Sequence, residues 1–150
     1  MTAIVCISDT HGLHDQVDVP IGDILIHAGD CTNVGHPLEV AEFLVWFAAL
    51  PHRHKVLIAG NHDFLFETEP DAAMALLRKY APSVHYLNDS GVSIAGLKIW
   101  GSPVQPEYCD WAFNKNGVCS WLTLARGFLK VSKSILLART AVVLIMANSP

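Results

Sequence analysis

The stretch ILIHAGD, residues 24–30, joins an apolar run to a glycine and a carboxylate. An apolar run of this length that ends in a turn residue is typical of a strand buried in a parallel sheet. Two other stretches have the same form, AIVCISDTHG at residues 3–12 and KVLIAGNHD at residues 55–63. Three such strands, alternating with loops and helical segments, predict βαβ units and an α/β fold.

The segments around these strands complete the expected fold. Their patterns predict helices at residues 37–50 and 70–80, a strand at 84–87, and a hairpin of residues 92–94 and 97–100. Pro37 suits the first turn of the first helix. Thr68 is expected to cap the second helix, because a threonine side chain accepts hydrogen bonds from the first N–H groups of a helix.

Composition divides the chain into two parts. The 150 residues are 51% hydrophobic and 16% charged, which excludes disordered, collagen-like and low-complexity proteins. All 14 acidic residues and five of the ten basic ones lie in residues 1–110, whereas residues 111–150 hold five basic residues and no acid. All eight histidines lie at or before His85. We therefore expect one domain over residues 1–116 and a divergent, basic and apolar tail over residues 117–150.

Polar residues with metal-binding side chains follow each of the three strands. Parallel strands end at one edge of their sheet, so Asp9, His11, Asp30, Asn61 and His62 are expected to converge there. Their donor atoms suit Mn, Fe or Zn. Asp9 and His11, two apart on an extended chain, would hold one ion together, Asp30 could bridge two ions, and Asn61 would bind the second. His62 is expected to remain free and to donate a proton to a leaving oxygen.

The three motifs ISDTHG, HAGD and IAGNHD resemble the calcineurin-like metallophosphoesterases. GLKIWGSPVQPEYCDWAFNKN, residues 96–116, is similar to the small metallophosphoesterase-domain proteins of that family. The resemblance implies a layered α/β/β/α sandwich, of which residues 1–116 would form the front half. It also implies hydrolysis of phosphate esters by a metal-activated water, with a phosphodiester or nucleotide as substrate. The implied metal ligands are Asp9, His11, Asp30 and Asn61, with His62 as the proton donor.

One departure from the family pattern concerns the metals. Family members carry a further histidine and a GHxH motif in a second half of the domain, and these complete the shells of two ions. No histidine follows His85 here. We therefore expect one divalent ion or none to bind stably to a truncated form of the domain, and activity to be impaired. The alternative is a non-catalytic fragment that binds a metal or a nucleotide.

The tail and the aromatic residues leave alternatives open. Residues 120–146 fit an amphipathic helix that contacts a membrane or a protein. They also fit a divergent final sheet and helix, or a segment from another reading frame, a splice form or a truncated gene. Trp100, Trp111 and Phe113 fit either a hydrophobic core or the wall of a nucleotide pocket. His27 is expected in the core. The first apolar segment lacks a basic leader, so we expect a cytoplasmic chain, and we expect no nucleic-acid polymer as partner.

Overall fold

The computed structural model describes residues 2–115, 134–137 and 141–147. Its first sheet consists of four parallel strands in the order β1-β2-β3-β4, namely β1 (Ile4–Ile7), β2 (Ile24–Ala28), β3 (His54–Ile58) and β4 (Val84–Tyr86). In this register Ile7 pairs with His27, and His27 pairs with Leu57. The carboxyl ends of the first three strands therefore lie at one level, as the sequence predicted.

Helices cover one face of this sheet. They are α1 (Pro37–Ala49), the short α2 (Leu65–Thr68) and α3 (Pro70–Tyr80), with a 3₁₀ turn at His14–Gln16. Pro37 begins α1 as expected, and the Glu39 carboxylate accepts the His36 N–H at 3.0 Å. The expected cap at Thr68 is wrong, because this hydroxyl donates to the Phe64 carbonyl oxygen within α2.

A second, antiparallel sheet faces the first. Its strands β5 (Ser90–Ile94) and β6 (Leu97–Ser102) form the predicted hairpin, with positive φ angles at Ala95 and Gly96 in the turn. The short strands β7 (Gln105–Pro106) and β8 (Asn114–Lys115) form a separate pair. Two strands from the tail, β9 (Ser134–Leu137) and β10 (Val142–Ala147), complete the sheet in the order β5-β6-β10-β9.

The tail strands exclude a continuous helix over residues 120–146 and agree with the sheet of the second interpretation. All six residues of β10 pair with β6, from Val142 opposite Ser102 to Ala147 opposite Leu97. β-Branched residues favour a pleated strand, and Val143 is fully buried there. Arg126, Lys130 and Lys133, which would form the basic face of an amphipathic helix, lie in residues 116–133, outside the described part of the chain.

Two hydrophobic clusters arrange these elements in layers. One lies between the helices and the first sheet and includes Phe43, Phe47 and Leu57. The other joins the two sheets and includes Ile26 and Ile58. The described residues thus form an α/β/β stack, a mixed α/β fold with a parallel sheet, as predicted. None of the helices described is long and apolar enough to cross a membrane.

Candidate metal centre

The loops after β1 and β2 run side by side beyond the edge of the first sheet. The Asp9 N–H donates to the Gly29 carbonyl oxygen, and the His11 N–H donates to the Asp30 carbonyl oxygen, both at 3.0 Å. These bonds extend the parallel pairing of the strands into the loops. The DTH and GD motifs are therefore held together by backbone contacts before any side chain is considered.

Three of the expected ligand residues have left-handed backbones. The φ angle is 56° at Asp9, 42° at His11 and 55° at Asp30. Residues other than glycine seldom adopt such angles, and they do so mainly where surrounding structure holds them. Asp9 and His11 therefore do not lie on an extended chain, contrary to expectation. The Asp9 carboxylate instead accepts a hydrogen bond from the neighbouring Ser8 hydroxyl.

A compact group of potential metal ligands lies at this edge. One ligand atom from each of His11, Asp30 and His62 can be chosen so that all three lie within 4.8 Å of one another. His11 Nε2 is 3.8 Å from Asp30 Oδ2, and the two histidine rings meet edge to face with centroids 4.8 Å apart. Asp9 is outside this group, and Asn61 is buried beside His62 in the loop after β3.

Two consecutive backbone carbonyls orient the histidines. His11 Nδ1 lies 3.2 Å from the Thr32 carbonyl oxygen, and His62 Nδ1 lies 2.8 Å from that of Asn33. Because a carbonyl oxygen only accepts hydrogen bonds, each Nδ1 must carry the proton. Each Nε2 is then left for a metal ion or a substrate, an arrangement common around metal-binding histidines.

The buried carboxylate of Asp63 fixes the loop that supplies these carbonyls. It accepts the N–H of Thr32 at 2.9 Å, the Thr32 hydroxyl at 2.7 Å and the N–H of Gly60 at 2.8 Å. Asp63 thereby ties the loop after β2 to the loop after β3. Sequence reasoning placed Asp63 in its motif without giving it a role, because these contacts span about thirty residues.

Glu39 holds the same loop from the helix side. Besides capping α1, its carboxylate accepts hydrogen bonds from the backbone N–H groups of Asn33 and Val34, both at 3.3 Å. The Asn33 side-chain amide also donates to it, at 3.2 Å. No role of Glu39 in the site was expected from the sequence, because these contacts depend on how the loop folds. The histidines are thus oriented by a loop that two carboxylates hold.

The close approach of the loops after β2 and β3 requires a glycine. A Cβ atom on Gly60 would overlap the carboxylate and the backbone nitrogen of Asp30. The His62 N–H donates to Asp30 Oδ1 at 2.9 Å across the same gap. The absence of a side chain at Gly60 thus allows the two loops to approach each other.

Burial dominates the electrostatics of the site. Burial, opposed by the hydrogen bond from the His62 N–H and assisted by nearby Asp63, raises the pKa of the Asp30 carboxyl to about 6. A divalent cation beside Asp30 would favour the ionised carboxylate instead. Two imidazoles and a carboxylate are ligands that Mn, Fe and Zn accept, so the residues present fit such an ion.

Other residues singled out in the sequence separate into core and surface. His27 is fully buried in β2, its Nε2 lies 3.1 Å from the Thr10 hydroxyl, and burial lowers its pKa to about 3. His27 is therefore a core residue, as expected. Trp100 and Phe113 are also buried. Trp111 is partly exposed, and its ring centroid lies 5.4 Å from that of His62.

The amino-acid sequence is similar to a family model and to several curated proteins. A family model described as calcineurin-like phosphoesterase matches residues 2–127. Metallophosphoesterase domain-containing protein 1 of Homo sapiens is 42% identical over 135 residues, covering 75% of this chain and 40% of that protein. UPF0046 protein K07C11.7 of Caenorhabditis elegans is 39% identical over 113 residues, covering 69% of this chain and 39% of that protein. The chain thus spans about 40% of the length of these curated relatives.

Proposed function

The chain belongs to the calcineurin-like phosphoesterases, and on this basis we propose that it hydrolyses phosphate esters, in particular phosphodiesters, with a divalent metal. The observation that carries the proposal is the closeness of three side chains at the edge of the first sheet, where ligand atoms of His11, Asp30 and His62 lie within 4.8 Å of one another. We assign the first two to the metal and the third to proton transfer. Family membership supports divalent metal binding and phosphoester hydrolysis. We further propose that phosphodiesters are preferred over monoesters and that manganese is the metal.

We assign the metal to Asp9, His11, Asp30 and Asn61. His11 and Asp30 already face each other, and the Asp9 carboxylate accepts the Ser8 hydroxyl with Oδ2, which leaves Oδ1 for the ion. Asn61 would add a neutral oxygen from a buried position. A bound divalent ion polarises phosphoryl oxygens and makes water a stronger nucleophile.

We assign proton donation to His62. Its Nδ1 is engaged with the Asn33 carbonyl oxygen, so the proton for a leaving oxygen would come from Nε2. The ring is partly exposed and meets the His11 ring edge to face, which supports a role beside the proposed ion. The same carbonyl keeps the imidazole in one orientation while it gains or loses that proton.

A metal-binding role without turnover is the second candidate. One three-residue ligand group, as found among the described residues, provides for one ion, whereas the family resemblance implies two. We therefore expect slow hydrolysis by the 150-residue chain. Several expectations remain predictions. They are the division of the chain at residue 116, a cytoplasmic location, a nucleotide substrate, the absence of a nucleic-acid partner, and contacts of the tail with a membrane or a protein.

The test is hydrolysis of bis(p-nitrophenyl) phosphate by the 150-residue chain with added Mn²⁺, with p-nitrophenyl phosphate as the monoester. We expect weak, metal-dependent release of nitrophenol, faster from the diester. Asp30→Ala should abolish it, and Asp71→Ala, which removes an exposed carboxylate on α3, should not. Equal activity of Asp30→Ala and the unaltered chain would refute the proposal. Metal binding without hydrolysis would favour the second candidate.

A further inference from the structure

A row of four aromatic rings runs outward from the ligand group. The rings of His11 and His62 have centroids 4.8 Å apart, His62 and Trp111 are 5.4 Å apart, and Trp111 and Tyr108 are 5.0 Å apart. The two histidines are partly buried, whereas Trp111 and Tyr108 are 37% and 64% exposed. The indole of Trp111 and the phenol ring of Tyr108 are therefore accessible to solvent beside the candidate phosphate site.

The backbone that carries these two rings is held on both sides. The Ala112 N–H donates to the Asn61 carbonyl oxygen at 3.1 Å, which ties the segment to the loop after β3. The Asn114 side-chain amide donates to the carbonyl oxygens of Cys109 at 2.7 Å and Tyr108 at 3.3 Å. The rings thus protrude from a segment with defined contacts, so a ligand need not order it on binding.

The two exposed rings differ from the other aromatics of this region. Trp100 and Phe113 are 4% and 7% exposed and contribute to the core. A single exposed aromatic residue is ordinary on a protein surface. The adjacent pair Trp111 and Tyr108 instead continues from His11 and His62, beside the proposed phosphate site, where it would contact a group attached to the phosphate. Aromatic faces favour planar rings through offset or edge-to-face contact.

We propose that Tyr108 and Trp111 form a subsite for a planar aromatic group on the substrate's phosphate. The subsite would favour aryl or heteroaromatic esters over aliphatic esters of similar size. This inference rests on the proposed function, because the ligand group must hold the phosphate for the ring to reach Trp111. Both residues would determine specificity and take no part in the bond-breaking step.

The test compares two phosphonates that cannot be hydrolysed, benzylphosphonate and cyclohexylmethylphosphonate. Both carry a methylene where an ester has oxygen, and they differ in whether the six-membered ring is planar. Isothermal titration calorimetry of the 150-residue chain with Mn²⁺, at a pH where both are dianions, gives their Kd values. We expect the benzyl compound to bind about two- to tenfold more tightly, the range that aromatic contact contributes.

Variants assign the preference to the rings. Trp111→Leu should reduce the ratio of the two Kd values to about one and leave the cyclohexylmethyl Kd within about twofold. Trp111→Phe should retain part of the preference. Tyr108→Leu should weaken it, and the exposure of this residue makes the variant tolerable to the fold.

Two results would overturn the subsite alone. They are equal Kd values in the unaltered chain, and equal weakening of both compounds by Trp111→Leu. Failure of both phosphonates to bind in the presence of Mn²⁺ would refute the phosphate site of the proposed function and the subsite with it. The cyclohexylmethyl compound therefore distinguishes the failure of one hypothesis from the failure of the other.

Discussion

Asp30 combines two properties that oppose each other in the metal-free chain. Its carboxyl is almost completely buried, and it lies within the ligand group of His11 and His62. Burial raises its pKa to about 6, so at neutral pH the metal-free protein holds a carboxylate in an unfavourable place. A residue selected for stability alone would not be ionisable there. The residue is better explained by a cation that binds the carboxylate.

We predict that Asp30→Asn stabilises the metal-free chain at pH 7. The native pKa of Asp30 lies above its unfolded value of 3.8, so the free energy of unfolding falls as the pH rises from about 4 to about 6. The loss amounts to about 3 kcal/mol, and asparagine avoids it while its oxygen can still accept the His62 N–H. Urea unfolding with a chelator present, at several pH values, measures the difference.

The gain should be much smaller at pH 4 and should vanish near pH 3, below both pKa values, where the carboxyl is protonated in both states. Added Mn²⁺ should reverse the order at pH 7 by stabilising only the chain with Asp30. A stability difference that is the same at pH 4 and pH 7 would show that the native carboxyl does not titrate as described.

Residue identity predicted only part of the site geometry. Carboxylates, histidines and glycines at three strand ends were sufficient to expect convergence at one edge. The left-handed backbones of Asp9 and His11 could not be expected, because neither residue type requires such angles. The roles of Asp63 and Glu39 depend on contacts between loops, and a motif does not contain that information.

At the scale of elements, the loop from β2 to α1 has little room. Gly35 has a φ angle of 71°, and a Cβ on it would lie 2.5 Å from the Phe64 nitrogen and 2.7 Å from that of Leu65. Its own N–H donates to the Thr32 hydroxyl at 3.0 Å. The loop that orients both histidines is thus packed against the segment that begins α2.

We predict that Gly35→Ala lowers the free energy of unfolding by about 2–4 kcal/mol, through left-handed strain and overlap with backbone. Gly96→Ala is the matched control, because its φ is 78° and nothing lies within 4 Å of the added carbon. That control should cost only about 1 kcal/mol. Equal losses in urea unfolding would contradict the close packing at Gly35.

Helices and strands whose own sequence pattern determines their structure were predicted well. Those whose structure depends on pairing or packing with a distant segment were not. The predicted bounds of β2 and α3 agree with the structure, because a buried apolar run and an amphipathic period are properties of the segment itself. Thr68 was assigned to the wrong helix because α2 is a single turn. Val142–Ala147 forms a strand because β6 pairs with it, a partner about forty residues away.

At the scale of the whole molecule, the two sheets meet most closely at Gly101 of β6. A Cβ there would lie 2.5 Å from Ile58 Cγ1 of β3 and 3.0 Å from Leu87 Cβ. Ile58 also belongs to the cluster that joins the sheets. The second sheet therefore packs directly behind the strand whose end carries Asn61 and His62.

We predict that Gly101→Ala costs about 1–3 kcal/mol of stability through overpacking. Ile58→Ala should cost about 2–5 kcal/mol alone, because it opens a cavity. Together they should cost less than the sum by at least about 1 kcal/mol, since the added methyl group enters the space vacated. Additive losses in a double-mutant cycle of urea unfolding would contradict the contact between the sheets.

The central claim is that the first sheet carries a divalent-metal site in which Asp30 is essential. Its most direct test is calorimetric titration of the 150-residue chain with Mn²⁺, supported by elemental analysis. We predict about one ion per chain, lost in Asp30→Ala and retained in Asp71→Ala. The absence of binding, or the same stoichiometry and affinity in Asp30→Ala, would contradict the claim.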